Sequence, residues 1–284
     1  MAPSEAARLV KSAKDLRVRE HRLQPNLRLK TKAEIVRFIH DRGLVSCLGG
    51  NELPSFISAV LGKPWKPSAK GFKGWLDWWS LKISGERLQK VSGEMERSDD
   101  IVATRIFRNS KTFVSEKLWE LIDPIVKHER ELAEEQALSS LELRILETIR
   151  SAESIRTDRL KSVLNLEARE KTSTFHRCLV NLESRALIVG AEDPNPERHL
   201  HANIWQTWEH GTGAARRRSH LSYEESVAKL LEATLDACVL ARDDQIRKWF
   251  KWSKATLSAR EELVESGRVL VVGSYLVPSR VRQA

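Results

Sequence analysis

One order of elements occurs twice in this chain. Over residues 139–208 and again over 221–278 the sequence reads as a helix, a short helix, a turn, a longer helix and two short apolar strands. In the first copy Leu141, Ile145, Leu146 and Ile149 recur at helical spacing. Thr157 then stands as the cap of a short helix holding Leu160, Val163 and Leu164. Phe175, Leu179 and Leu182 stripe a longer helix over 173–185 that runs straight into 186–189. In the second copy Val227, Leu230, Leu231 and Leu235 form the first stripe, and Ile246, Trp249 and Phe250 anchor the short helix. The third helix, 253–267, runs into 268–272. A duplication of pattern without duplication of sequence points to one architecture used twice.

Length and charge narrow the rest. At 284 residues and 41% hydrophobic content the chain suggests about two or three domains with real cores. The net charge of +9 favours a polyanionic partner, with nucleic acid ahead of membrane. Cys47, Cys178 and Cys238 are odd in number and lack a Cys-x-x-Cys pattern, which reads as small core residues in a reducing compartment. No apolar run approaches the ~18–20 residues that span a bilayer, and the N-terminus has no hydrophobic signal core. A cytoplasmic, nucleoid-associated protein is therefore expected, with no membrane partner. No phosphate-binding Gly-rich loop, dinucleotide fingerprint or Gly-x-Ser-x-Gly elbow occurs, so no cofactor is expected. His199 and His201 would share a strand face but have no cysteine or acid at ligand spacing, so no metal is expected. Asp99–Asp100 and Asp243–Asp244 read as helix N-terminal acids.

The expected organisation has four parts. Residues 1–30 carry eight Lys or Arg against three acids and few large apolar groups, which reads as a mobile basic arm. Residues 31–136 form an α-rich N-terminal domain. It opens at Thr31 with Glu34 at capping-box spacing, continues through Ile35, Phe38 and Ile39, and closes at Gly43. A short helix runs from Pro54 to Gly62, a Pro/Gly/Lys-rich connection covers 63–74, 99–109 reads as helical, and 112–114 as extended. A further helix starts near Ser115 and ends near His128. Residues 137–210 and 211–284 hold the two repeated units, the second preceded by a linker.

The repeated order is that of the winged helix-turn-helix, whose third helix lies in the DNA major groove. The expected fold class is mainly α with short β wings: tandem winged helix-turn-helix domains plus an α-rich N-terminal domain. In the first copy Thr172, Ser173, His176 and Arg177 occupy the outer surface of the third helix, and Arg169 and Lys171 before it suit phosphate contacts. In the second, Lys254, Thr256 and Arg260 are expected outside, with Leu257 and Leu263 turned inward. The wings are 187–192 with 202–205, tipped by Arg198, His199 and His201, and 269–272 with 276–277. Arg216, Arg217 and Arg218 in the Gly-rich linker suit a phosphate clamp or a solvated connection. Trp75, Trp78 and Trp79, interleaved with lysines, suit base stacking or core packing. Double-stranded DNA is the expected partner. Winged helices also serve as protein-interaction modules, which keeps a non-enzymatic scaffold as an alternative.

The order Leu53-Pro-Ser-Phe, Ala59-Val-Leu-Gly, Trp75-x-x-Trp78-Trp79-x-x-Lys82 and Lys111-Thr-Phe-Val-Ser, followed by two winged helices, resembles the AlkZ-related (YcaQ-like) proteins from Thr31 onward. The resemblance implies tandem winged helices around a DNA-binding concavity and a role related to DNA repair. In the glycosylase branch of that group a Gln-x-Gln or Gln-x-Asp motif positions the attacking water. Here Gln24, Gln89, Gln136, Gln206, Gln245 and Gln283 never take that spacing, and Ile83-Ser84 follows Lys82 where an acid is often seen. The chain therefore reads as a DNA-binding member of the group. The alternative is a glycosylase excising alkylated or crosslinked bases, with Glu52 or Asp77 as an unconventional carboxylate activating water.

Overall fold

Three Ser/Thr-x-x-Glu signatures start three helices. Thr31 with Glu34, Ser139 with Glu142 and Ser222 with Glu225 each form a reciprocal capping box, satisfying helix-end N–H groups that would otherwise lack partners. They open the N-terminal part and the two repeated units. The computed structural model describes residues 3–65, 80–133, 135, 138–167, 169–195, 202–214, 217 and 219–283. Asp77, Trp75, Trp78, Trp79, Arg198, His199, His201, Arg216 and Arg218 lie outside them.

The chain begins with α1 (Pro3–Glu20), not with a mobile arm. Leu9, Ala13 and Leu16 fall on one stripe at i, i+4 and i+7, and they are buried against Val239, Leu240, Val272, Val277 and Val281. The basic residues that suggested an arm occupy the other faces. The end of α1 is latched: Glu20 accepts from Arg280 at 2.9 and 3.0 Å and also pairs with Arg42. His21 donates from Nε2 to the Ala237 carbonyl at 2.9 Å, and burial brings its pKa down to about 3, so it stays neutral.

In the N-terminal part α2 (Lys32–Arg42) ends at Gly43, whose φ of +77° lets the chain reverse into β1 (Leu44–Ser46). Helix α3 (Phe56–Leu61) follows, capped by Ser55 and closed by Gly62. A two-residue hairpin, β2 (Lys82–Ile83) and β3 (Glu86–Arg87), leads into α4 (Leu88–Glu96). The stretch expected to be helical is instead β4 (Ile101–Phe107), joined to β5 (Ser110–Ser115) through Arg108 and Asn109, both at positive φ. Two consecutive positive-φ residues are the tight turn that suits the twist of paired strands. Ile-Val-Ala-Thr-Arg-Ile-Phe is buried on both faces, so its continuous apolar run imitates a helix. The sheet is antiparallel in the order β1-β5-β4.

Helix α5 (Trp119–Leu132) leads to the first repeated unit: α6 (Ser140–Ala152), β6 (Ile155–Arg156), α7 (Thr157–Val163), α8 (Arg169–Ser184), β7 (Ile188–Glu192) and β8 (Asn203–Thr207). After α9 (Trp208–Thr212) comes the second: α10 (Tyr223–Cys238), β9 (Ala241–Arg242), a 3-10 turn over Asp243–Lys248, α11 (Ser253–Glu265), β10 (Val269–Val272) and β11 (Tyr275–Pro278). Both units place a two-residue strand after the first helix and pair it with the last strand, in the orders β6-β8-β7 and β9-β11-β10. The first unit has its own core, with Phe175, Leu179 and Leu182 inward as expected. The second shares a core with α5 and β4, where Phe107 meets Trp249 at 5.1 Å. The described protein is mainly helical with small sheets, and among the described residues no helix is long and apolar enough to cross a membrane.

A buried ionic seam joins the N-terminal sheet to the first unit. Glu183, at the end of α8, accepts from Arg105 at 3.0 Å, and its backbone carbonyl accepts from Thr104 at 2.9 Å. Lys111 meets Glu96 at 2.6 Å, and the other Glu96 oxygen accepts from the Glu192 amide at 3.0 Å. Burial pushes the Glu183 pKa up to about 7.

Two outcomes are expected. Leu16→Ala should lower stability by about 2 kcal/mol and expose the α1 amides to hydrogen exchange ahead of the rest. Unchanged α1 protection would contradict the docking. Because the folded Glu183 pKa lies above the ordinary 4.5, the folded state binds the extra proton, and its stabilising share declines as pH rises from about 4.5 through about 7. The thermal midpoint of Glu183→Gln relative to the parent should therefore increase over that interval; a pH-independent difference would remove this account.

Candidate functional site

The two third helices present different surfaces. On α8, Ser173, His176 and Arg177 are exposed and Thr172 is half-buried, as expected; the side chains of Arg169 and Lys171 lie outside the described residues. Lys161, from α7, sits over the Phe175 ring at 5.4 Å. Partial burial and then Lys161 lower the His176 pKa, so this surface carries its charge on Arg177 and Lys161 near neutral pH.

On α11 the helix phase differs from the expected one. Trp252 stacks on Phe250 with ring centroids 5.3 Å apart, and the inward stripe continues from it through Thr256, Ala259 and Leu263. Thr256 is fully buried, its hydroxyl donating to the Trp252 carbonyl at 2.9 Å, while Leu257 is 42% exposed. The expected assignments of Thr256 outward and Leu257 inward are reversed, because a buried tryptophan before the helix sets its rotation. Arg260 is held by both oxygens of Asp243 at 2.9 and 2.5 Å, which occupies its fork. Of the three residues expected on this surface, Lys254 remains exposed and makes no ion pair among the described residues.

The linker arginine within the described residues is also committed. Arg217 donates to both oxygens of Asp123 at 3.0 and 2.9 Å and lies over the Trp119 ring at 5.1 Å, and Trp208 donates to the same Asp123 at 2.8 Å. It clasps the linker to α5, which engages the donors that a phosphate would need.

Glu52 lies in the wall of a cleft of about 610 Å³ between α1, residues 49–55, the β4–β5 turn, β9 and β11. Its Oε1 accepts from Arg108 at 3.0 Å, and its backbone carbonyl accepts from Arg17 at 2.9 Å. The other oxygen, Oε2, is closed off from solvent and has no hydrogen-bond partner among the described residues. One oxygen is thus engaged by a cation and the other is closed off from the water of the cleft. The loop bearing it is shaped by Asn51, which donates to Ser46 Oγ at 3.2 Å and accepts from the Leu53 amide at 3.1 Å. A side chain at Gly49 would meet the Trp65 carbonyl at 2.6 Å. Among the described residues Lys14, Arg17, Arg108 and Arg242 line the cleft with the carboxylate of Glu52, and Arg242 is already paired with both oxygens of Asp244 at 3.0 Å. An adjoining hollow of about 400 Å³ adds Lys248, Asn109 and Ser110.

Sequence reasoning missed this cluster. By sequence Lys14 and Arg17 fall in an expected mobile arm and Arg108 in an expected helix, and the five lining segments are far apart in the chain; the Gly49-Gly50-Asn51 run is the local sign of a special turn. All three cysteines are buried, and burial pushes the Cys47 thiol up to about 11. Among the described residues no group of His, Cys, Asp and Glu could hold a metal ion.

Removing the clasp separates structure from surface: Arg217→Ala should cost about 2 kcal/mol of stability and leave the surface formed by Ser173, His176 and Arg177 unchanged. A variant as stable as the parent would return Arg217 to the exposed cations.

A family model described as AlkZ related matches residues 29–251. No curated protein and no solved structure matches.

Proposed function

We propose that this chain, which belongs to the AlkZ-related family, is a DNA-repair-related protein that binds double-stranded DNA through two winged-helix units, led by the first. The observation that carries this reading is the repeated topology, in which a third helix with exposed Ser173, His176 and Arg177 stands beside a two-stranded wing. Hydroxyl, imidazole and guanidinium groups on one helix face suit phosphate and base-edge contacts. The net charge of +9 adds the sequence-independent attraction that duplex binding needs. The second unit contributes less, since Thr256 is buried and Arg260 is paired within the protein.

Glycosidic cleavage at Glu52 has weaker support, because Arg108 holds one oxygen and the other is shut away. Asp77 lies outside the described residues. A pure scaffold would have no need of the cationic edge formed by Arg177 and Lys161.

The test is duplex binding across salt, with undamaged and alkylated DNA, followed by alkali cleavage of the same samples. Parent protein should bind both duplexes with a steep salt slope and leave both uncut. Arg177→Glu should weaken binding about tenfold and flatten the slope by about one ion. Binding by Arg177→Glu equal to the parent at every salt concentration would refute the role of α8, and breaks confined to alkylated DNA would establish the glycosylase instead.

A further inference from the structure

The cleft beside α1 has a composition that duplex binding by the repeated units does not use. We propose that it is a second, separate site, taking the phosphate and base of one nucleotide, carried on an unpaired strand or free in solution.

Size comes first. A volume of about 610 Å³ lies within the ~300–1,000 Å³ typical of small-molecule sites and has room for one nucleotide. Charge comes second. Lys14 makes no ion pair among the described residues, and Lys248 makes none in the adjoining hollow. Arg17 spends one donor on the Glu52 carbonyl and keeps the rest of its fork. Arg108 divides one nitrogen between Glu52 and Gln245. Cations gathered around one hollow repel each other, and a phosphate between them removes that cost while accepting their hydrogen bonds. His21, also in the wall, is neutral and adds no charge.

Shape supplies the third argument. Gly50 has a φ of +105°, and an added side chain there would meet nothing within 4 Å among the described residues, so its backbone leaves room there for a ligand to approach. Tyr275 lines both this cleft and the neighbouring hollow along α1, offering an aromatic face to a base. Lys14, Arg17 and Tyr275 lie outside the residues 29–251 that the family model matches.

The experiment uses the full chain and two probes: a labelled hexathymidylate bearing a 5′-phosphate, followed by anisotropy, and thymidine monophosphate, followed by calorimetry. Lys14 and Lys248 are both exposed, so the double variant Lys14→Glu, Lys248→Glu should melt with the parent. It should bind about tenfold more weakly to whichever probe the parent binds, while Arg177→Glu binds that probe like the parent. Binding of the oligonucleotide alone identifies an unpaired strand as the source; binding of the monophosphate identifies a free nucleotide. Parent-like binding by the double variant, or no binding of either probe by the parent at millimolar concentration, overturns the proposal. Loss of probe binding in Arg177→Glu overturns it too, by merging the cleft with the duplex surface. Failure of duplex binding by the parent leaves the two readings apart, since neither probe is a duplex.

Discussion

Everything in this molecule is hung on the alternation of side chains along β4 and β5. Residues on successive positions of a strand face opposite ways. Ile101, Ala103 and Phe113 enter the core of the N-terminal part, whereas Val102 and Val114 enter the core that includes α5 and the second repeated unit; a register shift between Thr104 and Phe107 then lets the consecutive Ile106 and Phe107 both join that second core. Between them Thr104 and Arg105 hold the end of α8 through Glu183. A single hairpin thus touches three bodies, and its turn is fastened by the Arg108 amide donating to the Trp249 carbonyl at 2.7 Å. A one-residue slip in this hairpin would exchange the two faces and separate all three.

The contacts between bodies differ in kind. The second unit joins the hairpin through apolar area, led by Phe107, Trp249 and Phe250. The first joins through buried charge, where Lys111, Glu96, Arg105 and Glu183 satisfy one another. Desolvation makes such a seam a poor source of stability, but its hydrogen-bond geometry admits few alternatives, which suits a role in orientation. Helix α1 adds a third kind: an apolar stripe against β10 and β11, latched at its end by Glu20 and His21. By closing over the second unit it turns basic residues of the N-terminus into the wall of a cleft.

Local chemistry was readable where short-range rules decide. The capping box at Thr31, the Gly43 and Gly62 helix ends and the inward stripe of α8 stand where their spacing places them. Reading failed where distant residues decide. Ile101–Phe107 is buried on both faces, so its lack of alternation concealed a strand. β6 and β9 are two residues long, too short to carry a pattern, and exist because β8 and β11 offer them partners. The rotation of α11 follows from Trp252 packing on Phe250, which no periodicity within the helix reports.

By itself, then, the sequence determined the capped and striped helices α2, α6, α8 and α10 and the repeated order of two units, because capping, turn chemistry and apolar spacing act within a few residues. Family membership was legible in the same way, as short motifs in a fixed order. Only the tertiary structure decided which cations are available. Arg217 and Arg260 are spent on Asp123 and Asp243, while Lys14 and Arg17 are brought to a cleft with Arg108. A charge shows in the sequence, but its partner is a neighbour in space, and that neighbour is set by packing between segments far apart in the chain.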